Sequence, residues 1–132
     1  MLHNQITLEK HRILGFYLAC IYSKAIDLAE MKRSIEGQLI ICDDIEMLEI
    51  FSELVSFDGS KLELAKIIYN SSPNSHSPLS ESQDDALTGI AYKRGVIPYE
   101  HTPALEQTAK RALEKHPEVE ELFREVFPFI KF

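Results

Sequence analysis

Residues 7–35 read TLEKHRILGFYLACIYSKAIDLAEMKRSI, with apolar side chains at 14, 17, 18, 21, 22, 25, 28 and 29. Spacings of three and four place those side chains on one stripe of an α-helix, whereas a strand would alternate. The pattern predicts one long helix from about Thr7 to Ile35, stopped by Gly37 after the basic pair Lys32-Arg33. Its apolar band broadens between Phe16 and Tyr22, so this helix is expected at the centre, covered on more than one side. Gly15 within it either permits a close crossing or lowers local helix propensity.

Outward from this segment the sequence is punctuated by further helix signals. Leu39-Ile40-Ile41-Cys42 is the one credible strand; with no partner in the sequence it reads as a buried connector or the opening turn of a helix. Asp43 followed by Glu46 has the spacing of a capping pair, and Ile45, Leu48, Phe51, Leu54 and Val55 continue an apolar face. Phe57-Asp58-Gly59 then makes a turn, and Ser60 with Glu63 caps a helix from about Lys61 to Tyr69. These two helices are expected to pair as an antiparallel hairpin.

Residues 70–82, NSSPNSHSPLSES, hold six serines and two prolines and offer almost nothing to bury, which marks a flexible central loop. Beyond it, Ser82 to Asp85 cap a helix over Ala86, Leu87, Ile90 and Ala91 that stops at Gly95. Thr102-Pro103 opens a helix over Leu105, Ala109, Ala112 and Leu113, and Pro117 opens a last one over Val119, Leu122, Phe123 and Val126. That helix should end before Pro128, and the apolar terminus from Phe127 to Phe132 is expected to dock on the body. The expected fold is all-α: one domain over residues 1–132, a compact bundle of five or six helices with a Ser/Pro-rich central loop.

Composition agrees with this reading. The 132 residues are 45% hydrophobic and 27% charged, with five Gly and six Pro, which excludes a collagen-like repeat and a chain disordered throughout. A chain of this size can bury about two thirds of its unfolded surface without staples. The two cysteines, Cys20 and Cys42, each sit in an apolar run and are expected as buried, reduced thiols. The apolar stretch from Ile13 to Tyr22 is half of the about 20 residues that a membrane-spanning helix needs. Glu9 and the continuing helical pattern disfavour a signal peptide, so the expected location is cytoplasmic.

Fourteen Lys plus Arg against 21 Asp plus Glu give a formal charge of −7, which divides as −4 over residues 1–66 and −3 over 67–132. Such a chain repels phosphate backbones and anionic membranes and steers basic proteins inward. Its strongest local positive groups are just Lys32-Arg33, Lys93-Arg94 and Lys110-Arg111. The helix after the Phe57–Ser60 turn carries a balanced Lys61, Glu63 and Lys66, unlike a DNA-reading helix. Neither nucleic acid nor membrane is an expected partner.

Chemistry-bearing motifs are sparse. None of His3, His11, His76, His101 and His116 pairs with another at a spacing of three or four, and two distant cysteines give a zinc site little support. No metal, cofactor or catalytic residue is assigned. His11 stands about 13 Å down the helix from Cys20, too far to activate it, and the loop serines lack a Gly-x-Ser-x-Gly elbow. Glu46, Glu49 and Glu53 share a helix face without a Glu-x-x-His companion, so they read as a solvated surface.

The expected function is therefore a small acidic interaction protein that masks or regulates a protein partner, a basic one by charge, with an immunity or antitoxin role as a concrete version. Glu46, Glu49 and Glu53, or the terminal Phe129 and Phe132, are its candidate contacts. A second class is a ligand-binding module or enzyme whose pocket gathers Tyr92, Arg94, Tyr99 and His101 from separate elements. A third is a homodimeric structural subunit, which a large exposed apolar patch would signal.

Overall fold

The computed structural model describes residues 12–72 and 77–132. Seven α-helices and no strand occur among them: α1 Arg12–Tyr22, α2 Leu28–Ile41, α3 Ile45–Val55, α4 Lys61–Ser71, α5 Glu81–Lys93, α6 Pro103–Lys115 and α7 Pro117–Val126. The all-α bundle is as expected, but the helix count exceeds five or six because the segment expected as one helix is two.

The break falls at residues 23–27. Lys24 takes a left-handed backbone (φ 65°), and its amide and that of Ile26 donate to the carbonyls of Ile21 and Cys20, closing the end of α1. Asp27 then begins α2 with a full capping box: its carboxylate accepts from the Glu30 amide at 2.8 Å, while Glu30 accepts from the Asp27 amide at 3.0 Å. Satisfying donors at a helix start that no earlier turn can reach is what makes a new helix possible here.

Gly37 does not stop α2. A glycine inside a helix costs about 1 kcal/mol relative to Ala, too little to end α2 here. The strand candidate Leu39–Cys42 is instead the last turn of α2 with Cys42 as its cap, and Ile40 and Ile41 are exposed rather than buried. The cap of α3 is Asp44, whose carboxylate accepts from the Met47 amide at 3.1 Å, not Asp43. Nor do α3 and α4 form the expected hairpin: α3 packs on α2, and α4 packs on α1.

In the second half, the capping box of α5 is Ser80 with Gln83 rather than a cap within Ser82–Asp85. Gly95, at φ 84°, follows the C-cap of α5 as expected. Thr102 accepts from the Leu105 amide at 3.0 Å, ahead of Pro103. Of the expected 70–82 loop, Asn70 and Ser71 belong to α4 and Glu81 and Ser82 to α5, while 73–76 lie outside the described residues.

The core gathers around α1. Phe16 and Tyr17 are fully buried against Phe127, with ring centroids 6.3 and 5.8 Å away, and Phe123 lies 4.9 Å from Phe127. The terminus docks as expected, burying Phe127 and Ile130. Ser34 on α2 donates its hydroxyl hydrogen to the Val126 carbonyl at 2.8 Å. Tyr17 must therefore be the donor in its own 2.8 Å bond to Ser34, and α1, α2 and α7 meet at one buried polar point. Cys20 is fully buried, whereas Cys42 is only half-buried.

Two sites make the packing testable. At the α5–α6 crossing, a Cβ on Gly89 would lie 2.5 Å from the Ala109 carbonyl oxygen and 2.9 Å from Leu113 Cβ. Gly89→Ala is expected to lower stability by about 1–3 kcal/mol, measured by urea unfolding. Asp84, half-buried on α5, keeps Oδ1 enclosed without a hydrogen-bond partner; desolvation, then the charges of Asp85 and Glu81, push its carboxyl up to about 6. A carboxyl raised in the folded state costs stability above that pH, and the cost disappears as pH falls towards 3.8. Asp84→Asn is therefore expected to stabilise by about 1 kcal/mol at pH 7.5, allowing for solvent screening, and by almost nothing at pH 4 in parallel melts.

Candidate functional site

Counting charge by structural element changes the electrostatic picture. Residues 34–60 contain Glu36, Asp43, Asp44, Glu46, Glu49, Glu53 and Asp58 and not one Lys, Arg or His. The remaining 105 residues carry fourteen acids and fourteen Lys plus Arg, so the entire formal charge of −7 lies on the C-terminal part of α2, on α3 and on their flanks. Division of the sequence into halves spreads this charge evenly and hides it.

The α2–α3 pair presents that charge outward. Met47, Ile50, Phe51 and Leu54 turn inward, while Glu46, Glu49 and Glu53 are exposed on the other side of α3 together with Glu36, Asp43 and Asp58. At the corner joining the two helices, Ile40, Ile41 and Ile45 stand 85%, 74% and 74% exposed. Isolated apolar side chains on a surface are ordinary; here three large ones within six residues form an exposed apolar patch rimmed by carboxylates.

Phe129 and Phe132 are occupied differently. Phe129 is half-buried against Phe127 in an edge-on contact at 6.3 Å, under the Arg33 guanidinium at 4.4 Å. Phe132 meets Phe123 edge-on at 5.7 Å and carries Arg124 at 4.1 Å over its ring. Both rings are thus engaged with the body.

The four residues expected to share a pocket separate into two groups. Tyr92 Oη and His101 Nδ1 are 2.8 Å apart, within hydrogen-bond distance, and burial followed by the nearby Glu106 and Glu100 charges raises the Tyr92 phenol above its ordinary value. Arg94 points elsewhere: it donates to the Ala25 carbonyl and forks onto both oxygens of Glu30. Burial penalises the Glu30 charge, but the Arg94 hydrogen bonds and the Asp27 amide outweigh it and hold the carboxyl below its ordinary value. Tyr99 is 87% exposed beneath Lys24, whose Nζ stands 3.6 Å above its ring centroid.

Arg94 forms part of the wall of a cavity of about 370 Å³ where the α1–α2 break, the α3–α4 turn and the end of α5 converge. Ile21, Ile26, Phe57 and Leu64 supply apolar surface, and Lys24 and Lys61 supply ammonium groups. Lys61 Nζ lies 5.6 Å from the Tyr22 ring and 5.9 Å from that of Tyr99, so its ammonium group stands near two tyrosine rings. Sequence spacing gave no hint of this site, because its residues come from three separate connections.

A further cluster joins two helix starts. His116, the residue between α6 and α7, has Nε2 2.7 Å from Ser82 Oγ and Nδ1 2.9 Å from Glu118 Oε2, and Gln83 donates to the same carboxylate oxygen at 3.2 Å. The order is hydroxyl, imidazole, carboxylate, but Ser82 lies exposed on the first turn of α5, without the enclosed setting that acyl transfer needs. The cluster ties α5 to α7. Among the described residues no group of three or more His, Cys, Asp or Glu is arranged to hold a metal ion, and no helix is long and apolar enough to cross a membrane. His3, His11 and His76 lie outside the described residues.

Replacing Arg94 by Gln would strand both Glu30 and the Ala25 carbonyl. The expected cost is about 1–2 kcal/mol at pH 7 after solvent screening. A carboxyl lowered by folding contributes stability above its unfolded value near 4.5 that is lost as pH falls through the folded value. The gap between wild type and Arg94→Gln in thermal melts should therefore narrow as pH falls below 4.5. Comparison with protein-family models, curated proteins and solved structures finds no match to this chain, so its surfaces are read from their own chemistry.

Proposed function

We propose that the protein is an interaction module that masks or regulates a basic protein partner through the α2–α3 hairpin, an immunity or antitoxin role being one concrete form. The observation that carries this reading is the coincidence of the whole formal charge with a corner exposing Ile40, Ile41 and Ile45. A single-sign surface accelerates encounter with the opposite sign and gives salt-sensitive association. Covering the isoleucines supplies the short-range part, about 1.5–3 kcal/mol for each one fully buried. Ile40, Ile41 and Ile45 suit the anchor role better than Phe129 and Phe132, whose rings are already in contact with the body. A homodimer through the same face would set seven carboxylates of one copy against seven of another, a repulsion that disfavours the structural-subunit alternative.

The test is site-specific photo-crosslinking in the source cells, from position 41 and, as a control, from exposed Gln107 on α6. Position 41 should capture one stoichiometric partner with a basic surface, and position 107 should not. The triple variant Glu46→Lys, Glu49→Lys, Glu53→Lys should fold normally and slow association with that partner about tenfold or more at low salt. Equal capture from both positions, or association indifferent to charge reversal, would reject the reading. An adduct between two copies of the chain would replace it with self-association.

A further inference from the structure

The cavity at the other end of α2 supports a separate inference that goes beyond the interaction reading. We propose that it binds a small organic anion with an apolar body, of the alkyl or aryl carboxylate class. Leu28 and Ile41 are thirteen helical steps apart, so α2 holds this cavity about 20 Å from the isoleucine corner.

Charge pairing inside the site selects the sign of the ligand. Its two lining carboxylates are engaged: Asp27 caps α2, and Glu30 is forked by Arg94. Lys24 and Lys61 are not; among the described residues neither has a carboxylate partner, and both ammonium groups rest near tyrosine faces. A tyrosine face attracts a cation without neutralising it. The lining therefore includes two lysines that pair with no carboxylate among the described residues, although the protein as a whole is strongly acidic.

Shape and lining select the rest of the ligand. A volume of about 370 Å³ falls at the lower end of the range for small-molecule sites, about 300–1,000 Å³. Ile21, Ile26, Phe57 and Leu64 are all buried in the fold and supply apolar surface to the cavity. They can remove an alkyl chain or a ring system from water, the non-directional part of binding, while the lysines fix which end faces out. A compact polar anion such as inorganic phosphate would gain only the charge contacts, and a neutral hydrocarbon only the apolar ones.

The experiment is a heteronuclear NMR titration of the full chain with decanoate, kept well below its aggregation range, against decanol and inorganic phosphate as probes lacking one half of the chemistry. Decanoate should give saturable shifts confined to residues 21–30, 57–64 and 94–97, and each control should bind at least about tenfold more weakly. Lys24→Met with Lys61→Met, which preserves the apolar stems, should weaken decanoate about tenfold while leaving the rest of the spectrum unchanged. Val96→Trp, filling the cavity without altering charge, should abolish the shifts. The proposal fails if decanoate gives no saturable shift, if its shifts lie elsewhere, if decanol binds equally well, or if the double Met variant binds as the wild type does. Because no measurement here involves the α2–α3 corner or a protein partner, failure would leave the interaction reading intact, and the converse also holds.

Discussion

The guanidinium of Arg94 holds together the place where the chain changes direction. It arrives from the end of α5, 64 positions beyond Glu30, caps the carbonyl of Ala25 in the α1–α2 break and grips the acid that closes the capping box of α2. The break itself requires Lys24 to take a left-handed backbone, which costs a non-glycine residue about 1–2 kcal/mol. Once the turn is held, α2 can lie against α1 and α7 through Ser34, carry α3 back along its outer side, and leave α4 to cover α1. A continuous helix over the same residues would have projected α2 away from the core and left Ser34 with no route to Val126.

That turn also explains which parts of the fold were legible in the sequence. Ser60 with Glu63 and Thr102 with Pro103 announce their helices by local chemistry, and the structure places both starts there. Asp27 with Glu30 carries the same kind of signal, but it is embedded in an unbroken apolar periodicity at 25, 28 and 29, without glycine or proline to interrupt it. Periodicity is preserved across the break because both helices face the same core. The opposite error occurs at Gly37, which looks like a stop but lies on an exposed side of α2 where no close neighbour meets it. The failed α3–α4 hairpin has a third cause: a short connection constrains distance, while the choice of neighbour depends on faces that only the whole bundle defines.

The candidate surfaces divide along the same line. Glu46, Glu49 and Glu53 were visible as a helical face, yet the concentration of charge around them appears only when the sequence is cut at 34 and 60 instead of its midpoint. By sequence the isoleucines at the corner belong to an apolar run, and such runs are usually interior. The cavity had no local signature at all, since its two lysines are 37 positions apart and become neighbours through packing. The molecule thus keeps an acidic, apolar-centred end and a cation-rimmed, concave end on one pair of helices.

The hydrogen bond from Ser34 to the Val126 carbonyl joins groups 92 positions apart, and this separation has a consequence for the order in which the chain folds. The tightest helix pairs, α5 with α6 and α2 with α3, are neighbours in sequence and close small loops, so the entropy lost in bringing them together is modest. The Ser34 contact joins groups 92 positions apart, so on chain entropy it is expected to form after the local pairs. It acts as a clasp between parts of the chain that assemble locally and lie far apart in sequence.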